Sequence, residues 1–139
     1  MEVRVKWVEG MAFIGESGSG HGIVIDGPPD LGGRDLGMRP MELMLMSVGA
    51  CSAVDVVHIL KKARQPVLDC YVEVKGKRAE TEPKVFTDIH LHFVVIGNDL
   101  KANQVERAVK LSADKYCSAS LMLSKAANVT HDFELRSPA

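Results

Sequence analysis

Apolar and polar positions alternate where the chain begins. Val3, Val5 and Trp7 stand against Arg4 and Lys6, the period-two pattern of a half-buried strand. Glu9 and Gly10 predict a turn, Met11 to Glu16 a second strand, Ser17 to Gly20 another turn, and His21 to Asp26 a third strand. The chain is therefore expected to open on a three-stranded antiparallel meander. Residues 26–39 hold four glycines, two prolines and three aspartates and read as a surface loop. The loop lacks both glycine patterns that cradle phosphates, so a phosphate site is not expected there.

The pattern then changes period. From Pro40 to Arg64 apolar residues run nearly all the way round a helical wheel: Leu43, Met44, Leu45, Met46, Val48, Val54, Val56, Val57, Ile59 and Leu60. Proline suits a first helical position. Glu42 in the first turn, with Lys61, Lys62 and Arg64 in the last, gives the charge order that a helix dipole favours. A helix apolar on all sides is buried on most of them. At about 36 Å it is long for so small a chain, and a second subunit is expected to cover part of it.

Two strands follow. In the first, Leu68, Cys70, Val72 and Val74 share one face; the second runs from Val85 to Ile96. Leu100, Val105, Ala108, Val109 and Ser112 recur at helical spacing. Tyr116 to Ser118 interrupts that helix, Ser118 or Ser120 can cap a short further one through Ala126, and Val129 to Leu135 reads as a last strand. The order βββ-α-ββ-α-α-β, without internal repeats, makes this an α+β chain of one domain, residues 1–139.

Charge and composition narrow the function classes. Seventeen basic residues against 18 acidic ones leave a net charge of −1 in 139 residues. A general nucleic-acid binder would show a basic field, and a polybasic membrane anchor a cluster of cations. Neither partner is expected. Three cysteines are too few, and odd in number, for a secreted disulfide framework. The beginning of the chain has no signal-peptide pattern. Its most apolar run, Leu43 to Val54, falls short of the roughly 20 residues that span a bilayer. The expected location is the cytoplasm, with free thiols.

The cysteines differ in setting. Cys70 alternates with Leu68 and Val72, as a small core hydrophobe would. Cys51 follows Ser47, Val48, Gly49 and Ala50, small neighbours that allow backbone or ligand to come close. Cys117 lies at a helix start, where unpaired N–H groups favour a thiolate. By position alone Cys51 and Cys117 fit either core packing or a redox pair. Asp55 and His58 share the helix face of Cys51. His58 is about 10 Å along the axis, too far for a direct hydrogen bond, and a carboxylate at Asp55 would raise the thiol pKa. His90 and His92 lie on one strand face as a metal clip could, but lack a third ligand at telling spacing, and His131 is remote. Packing or surface exposure is their ordinary reading, and no metal or bound cofactor is expected.

Pro40 to Cys51 (PMELMLMSVGAC) resembles the first-cysteine helix of the OsmC/Ohr family, the osmotically induced and organic hydroperoxide resistance proteins. Lys115 to Ser120 (KYCSAS) resembles that family's second-cysteine segment. The order of elements agrees along essentially the whole chain. Phe86 to Phe93 (FTDIHLHF) together with the KYCS form is similar to one branch in particular. The resemblance implies an OsmC-like fold: N-terminal antiparallel strands, a long buried central helix, a second sheet with helices, and an intertwined homodimer. It implies a thiol peroxidase for organic hydroperoxides, with Cys51 as peroxidatic thiolate, Cys117 as resolving thiol and an external dithiol as reductant. Peroxidases of the family place an arginine on the N-terminal strands, whereas Val8 to Phe13 has none here; Arg34 and Arg39 lie in the following loop. The family glutamate directly follows the proline, where this chain has Met41, with Glu42 one residue later. Through the resemblance Glu42 and Arg39 are candidate site residues, Glu42 holding Arg39 over the thiolate of a partner's Cys51. The alternative role of Glu42 is to complement the dipole at its own helix start. A non-catalytic member of the fold, binding a small apolar ligand or sensing redox state, is the alternative function.

Overall fold

The computed structural model describes residues 1–139. Three strands, β1 (Val3–Glu9), β2 (Ala12–Ser17) and β3 (Gly22–Asp26), lead to helix α1 (Pro40–Lys62). Strands β4 (Val67–Arg78) and β5 (Phe86–Gly97) follow, then α2 (Ala102–Leu111), a π turn (Ser112–Tyr116), α3 (Ser118–Leu123) and β6 (Asn128–Arg136). The expected α+β order is present. The chain divides into two compact units, Met1–Met44 and Leu45–Ala139.

The first unit is the antiparallel meander β1-β2-β3 and its loop. One expectation fails in it: β1 has no buried face. Val3, Val5 and Trp7 are all more than half exposed, because β1 is an edge strand whose apolar side nothing in the single chain covers. The loop after β3 is also more ordered than its glycines suggested. Asp26 is 2% exposed, and its carboxylate accepts from the backbone N–H of Gly27 (2.8 Å), Arg34 (3.0 Å) and Leu36 (3.1 Å). One side chain thus satisfies donors from three points of the loop. Gly37 closes the arrangement, since a Cβ there would stand 2.5 Å from the Val24 carbonyl oxygen.

The second unit is a sheet of order β4-β5-β6, with α2 packed against β6 and α1 approaching β4 at Val74. β4 and β5 are antiparallel, and β6 runs parallel to β5. A parallel return needs a crossover, which the α2–α3 segment supplies. The core gathers on one side of β5, at Ile89, Leu91, Phe93 and Val95, with Val48, Val56 and Leu60 of α1 and Val105, Ala108 and Val109 of α2. Gly49 lets α1 lie close to the sheet: a Cβ there would come within 2.9 Å of Val74 Cγ2.

Two further expectations need correction. The register shifts between Val67 and Asp69, a bulge that turns the strand's phase. Leu68 is consequently 62% exposed and does not share the half-buried face of Val72. Cys70 is only half-buried. α1 is buried in this chain along a stripe, Val48, Gly49, Ser52, Val56 and Leu60, rather than on most sides. Met44, Met46 and Val54 remain open. By length and composition α1 also reaches the measure of a membrane-crossing helix, which the shorter Leu43 to Val54 window did not.

The Leu36 and Arg34 amides hold the Asp26 carboxyl below the usual carboxylate range, against the opposing effect of burial. A depressed folded pKa contributes stability above the unfolded value, near 4, that is lost as pH falls through the folded value. In urea titrations at pH 7 and pH 2.5, Asp26→Asn should lower the midpoint at pH 7 and narrow the gap between the two pH values relative to wild type.

Candidate functional site

α1 repeats its buried stripe every four residues: Val48, Ser52, Val56, Leu60. A serine on such a stripe must find a partner inside. α2 ends the same way, with Ser112 continuing the stripe of Val105, Ala108 and Val109. Ser112 opens the π turn, a wider turn of backbone whose end sets Cys117 in extended conformation.

One of the two hydroxyls meets a thiol there. Ser52 Oγ donates to Cys117 Sγ at 3.1 Å, and the Ser120 N–H donates to the same sulfur at 3.3 Å. Ser112 Oγ lies 3.2 Å from Asp55 Oδ2 and 3.4 Å from the Ser52 carbonyl oxygen, and can donate to either. The Cys117 N–H donates back to the Ser112 carbonyl at 2.8 Å. Cys117 itself, rather than Ser118 or Ser120, is the N-cap of α3.

Cys51 and Cys117 are neighbours. Cys117 is fully buried and Cys51 half-buried. Burial pushes the Cys117 thiol up. The Ser52 hydroxyl and the Ser120 N–H pull it back, and the adjoining Cys51 side chain pushes it up again. Cys70 is on β4, and burial, with a contribution from Asp69, raises its thiol too. Asp55, expected to burden the Cys51 thiol, is engaged by Ser112. A cleft of about 520 Å³ is lined by Asp55, His58, Ile59, Lys62, Arg107 and Tyr116, which places His58 in its wall.

Glu42 and Arg39 come together at the start of α1. The Arg39 N–H donates to Glu42 Oε2 at 2.9 Å, and Arg39 Nη1 lies 3.6 Å from Oε1. Glu42 is thus the third-position carboxylate of a capping arrangement and holds Arg39 of its own chain. Arg34 pairs with Glu9 at 2.6 Å.

The histidines have partners that no spacing rule revealed. Parallel pairing sets Thr130 beside His90 and Asp132 beside His92. His90 Nδ1 lies 2.7 Å from Thr130 Oγ1, while His90 Nε2 (3.2 Å) and His92 Nδ1 (2.6 Å) both meet Asp132 Oδ1. His131 falls on the other face by strand alternation. No group of three or more His, Cys, Asp or Glu side chains is arranged to hold a metal ion. Sequence reasoning also missed Ser52, Ser112 and Asp132. For the serines the signal was there, a hydroxyl on an apolar stripe; for Asp132 it was not, because strand pairing is non-local.

The Asp132 hydrogen bond raises the His92 pKa, with Glu134 contributing. The stability linked to this pair is fully present below the ordinary histidine range and disappears as pH rises through the elevated value. NMR titration should show a His92 midpoint above that range, returning toward it in Asp132→Asn.

Comparison with known proteins gives concordant matches. The sequence model of the family described as OsmC-like protein matches residues 32–132. Protein YhfA of Escherichia coli strain K12 is 55% identical over 135 residues, 97% of this chain and 98% of that protein. A crystal structure of a protein from Aquifex aeolicus is 36% identical, with a TM-score of 0.86 over 99% of this chain and 97% of that one. OhrB of Bacillus subtilis, an organic hydroperoxide resistance protein, is 20% identical with a TM-score of 0.63 over 96% of this chain and 98% of that one, a likeness of fold alone.

Proposed function

The chain belongs to the OsmC-like protein family, and from that premise we propose that it is a thiol peroxidase that reduces organic hydroperoxides through Cys51 and Cys117. The observation that carries this reading is the pairing of two adjacent thiols of unequal access, Cys51 half-buried and Cys117 fully buried. A peroxide arriving from outside meets Cys51 first. Its thiolate attacks the terminal peroxide oxygen, the O–O bond breaks, and the alkoxide leaves and takes up a proton as an alcohol. Cys51 is then a sulfenic acid. Cys117 attacks that sulfur, the S–S bond forms, and the hydroxyl leaves as water. An external dithiol donates two electrons by thiol exchange and restores both thiols. The Met-rich and Leu-rich helix around Cys51 suits an alkyl hydroperoxide better than hydrogen peroxide.

The same open apolar side of α1, and the bare face of β1, support a homodimer in the reducing cytoplasm, with residues 1–139 acting as one OsmC-like domain and the partner covering these surfaces. In that dimer Glu42 presents Arg39 to the partner's thiolate, where a cation would lower the thiol pKa.

A second reading, a non-catalytic binder of an apolar ligand or a redox sensor, is favoured by one observation. Both loop cations are already paired with carboxylates, Arg34 with Glu9 and Arg39 with Glu42. Steady peroxide consumption with a dithiol reductant decides between the readings; a protein that forms its disulfide once and does not cycle is a sensor.

Cys51→Ser should reduce consumption of an alkyl hydroperoxide to background. Cys117→Ser should complete one turnover and stop, with a sulfenic acid on Cys51 trapped by a dimedone-type reagent in mass spectrometry. Cys70→Ser should keep at least about half of the wild-type rate, since only stability is at stake.

Light scattering at micromolar concentration should give twice the 15.1 kDa chain mass, and Val54→Glu, a charge placed on the open side of α1, should shift the population toward monomer. A stable, folded wild-type monomer would refute the dimer.

A further inference from the structure

We propose that Ser52 is a positioning residue for the second thiol: its hydroxyl holds the Cys117 sulfur beside Cys51 and selectively stabilises that sulfur as a thiolate. The proposal rests on the two-cysteine reading, whose exchange steps pass through Cys117 as an anion.

The geometry is specific. Ser52 is 2% exposed and Cys117 0%, so water cannot solvate the sulfur, and an unpartnered buried charge would be very costly. Two donors reach it, Ser52 Oγ at 3.1 Å and the Ser120 N–H at 3.3 Å. A helical serine can instead return its hydrogen to a carbonyl one turn back; Ser52 gives it to sulfur. A thiol is a weak acceptor, whereas hydrogen bonds to ionised groups are about twice as strong as neutral ones. The Ser52 bond therefore strengthens when Cys117 ionises, and favours the thiolate over the thiol. Ser112 does not touch the sulfur with its side chain: its hydroxyl lies within donating distance of the Ser52 carbonyl and Asp55, while its backbone carbonyl accepts from the Cys117 N–H, a contact that alanine at 112 keeps.

The consequence appears when the oxidised pair is reduced. One thiolate of an external dithiol attacks the Cys51 sulfur, a mixed disulfide forms, the S–S bond breaks, and Cys117 departs as a thiolate into the two waiting donors. The second thiolate of the reductant attacks the reductant's own sulfur in the mixed disulfide and releases Cys51. Two electrons pass to the protein and the reductant leaves as a disulfide. Stabilising the departing thiolate makes the reduced form easier to reach.

Four full-length proteins test this: wild type, Ser52→Ala, Ser52→Thr and Ser112→Ala. Each is labelled with 13C at the cysteine Cβ and titrated by NMR in the reduced state, and each is equilibrated with dithiothreitol to measure its disulfide fraction. Alanine is the best helix former, and a circular dichroism melt checks folding. Ser52→Ala should reduce the Cys117 thiolate fraction about three- to tenfold at a pH below that thiol's midpoint and, when equilibration is done at a pH above the midpoint, move the dithiothreitol equilibrium toward the protein disulfide by a similar factor. Ser52→Thr, which keeps the hydroxyl, should stay within about twofold of wild type by the same reasoning, and so should Ser112→Ala. An unchanged Cys117 titration in Ser52→Ala overturns the proposal. So does an equal change in Ser112→Ala or in a folded Ser52→Thr, because the effect would then come from packing. None of these readouts needs peroxide turnover. A wild-type protein that consumes no peroxide would overturn the peroxidase reading and leave the titration result standing.

Discussion

How close α1 can lie to the sheet governs the geometry around the thiols. Gly49 removes a side chain that would collide with Val74, and the helix settles with Val48, Ser52 and Val56 turned inward. A larger residue at Gly49 would force either the Val74 side chain or the helix to shift, and where the helix gave way that stripe would lift. Ser52 would then draw away from the Cys117 sulfur and the Ser52 carbonyl away from Ser112, since each contact tolerates only a few tenths of an ångström before it ceases to be a hydrogen bond. The small residues before Cys51 are in this sense a fit between helix and strand, and the thiol pair inherits its spacing from that fit.

The elements were legible because their signals are local. Alternation gave the meander, Pro40 and the lysines bounded α1, and the stripe ending at Ser112 gave α2. What stayed hidden depends on contacts between distant residues. The bulge beside Leu68 reversed the phase of β4 at its start, a detail invisible to a period-two reading. Asp26 looked like one more loop aspartate, although it gathers amides eight and ten residues away. The partners of His90 and His92 arrive only through the parallel pairing of β6, some 40 residues on. At the thiols, the two cysteines stood out by type and by family resemblance, while Ser52 drew no notice beside Cys51 and Ser112 counted only as the end of an apolar stripe.

Glu42 makes two contacts with one neighbour. As a cap it accepts the Arg39 N–H, and as a charge it retains the Arg39 guanidinium nearby. The same carboxylate therefore serves the helix end and fixes where the Arg39 charge stands.

The order of elements gives the thiol pair one more property. Cys51 lies before β4 and Cys117 just before α3, so a covalent bond between them would enclose β4, β5, α2 and the π turn in a single ring. In the chain-entropy description, closing a ring of that size restricts the unfolded ensemble by roughly 4 kcal/mol. The oxidised chain would then be a different thermodynamic object from the reduced one, more resistant to global opening and slower to expose the sheet. The gain would come chiefly through the unfolded ensemble rather than through new packing in the folded chain.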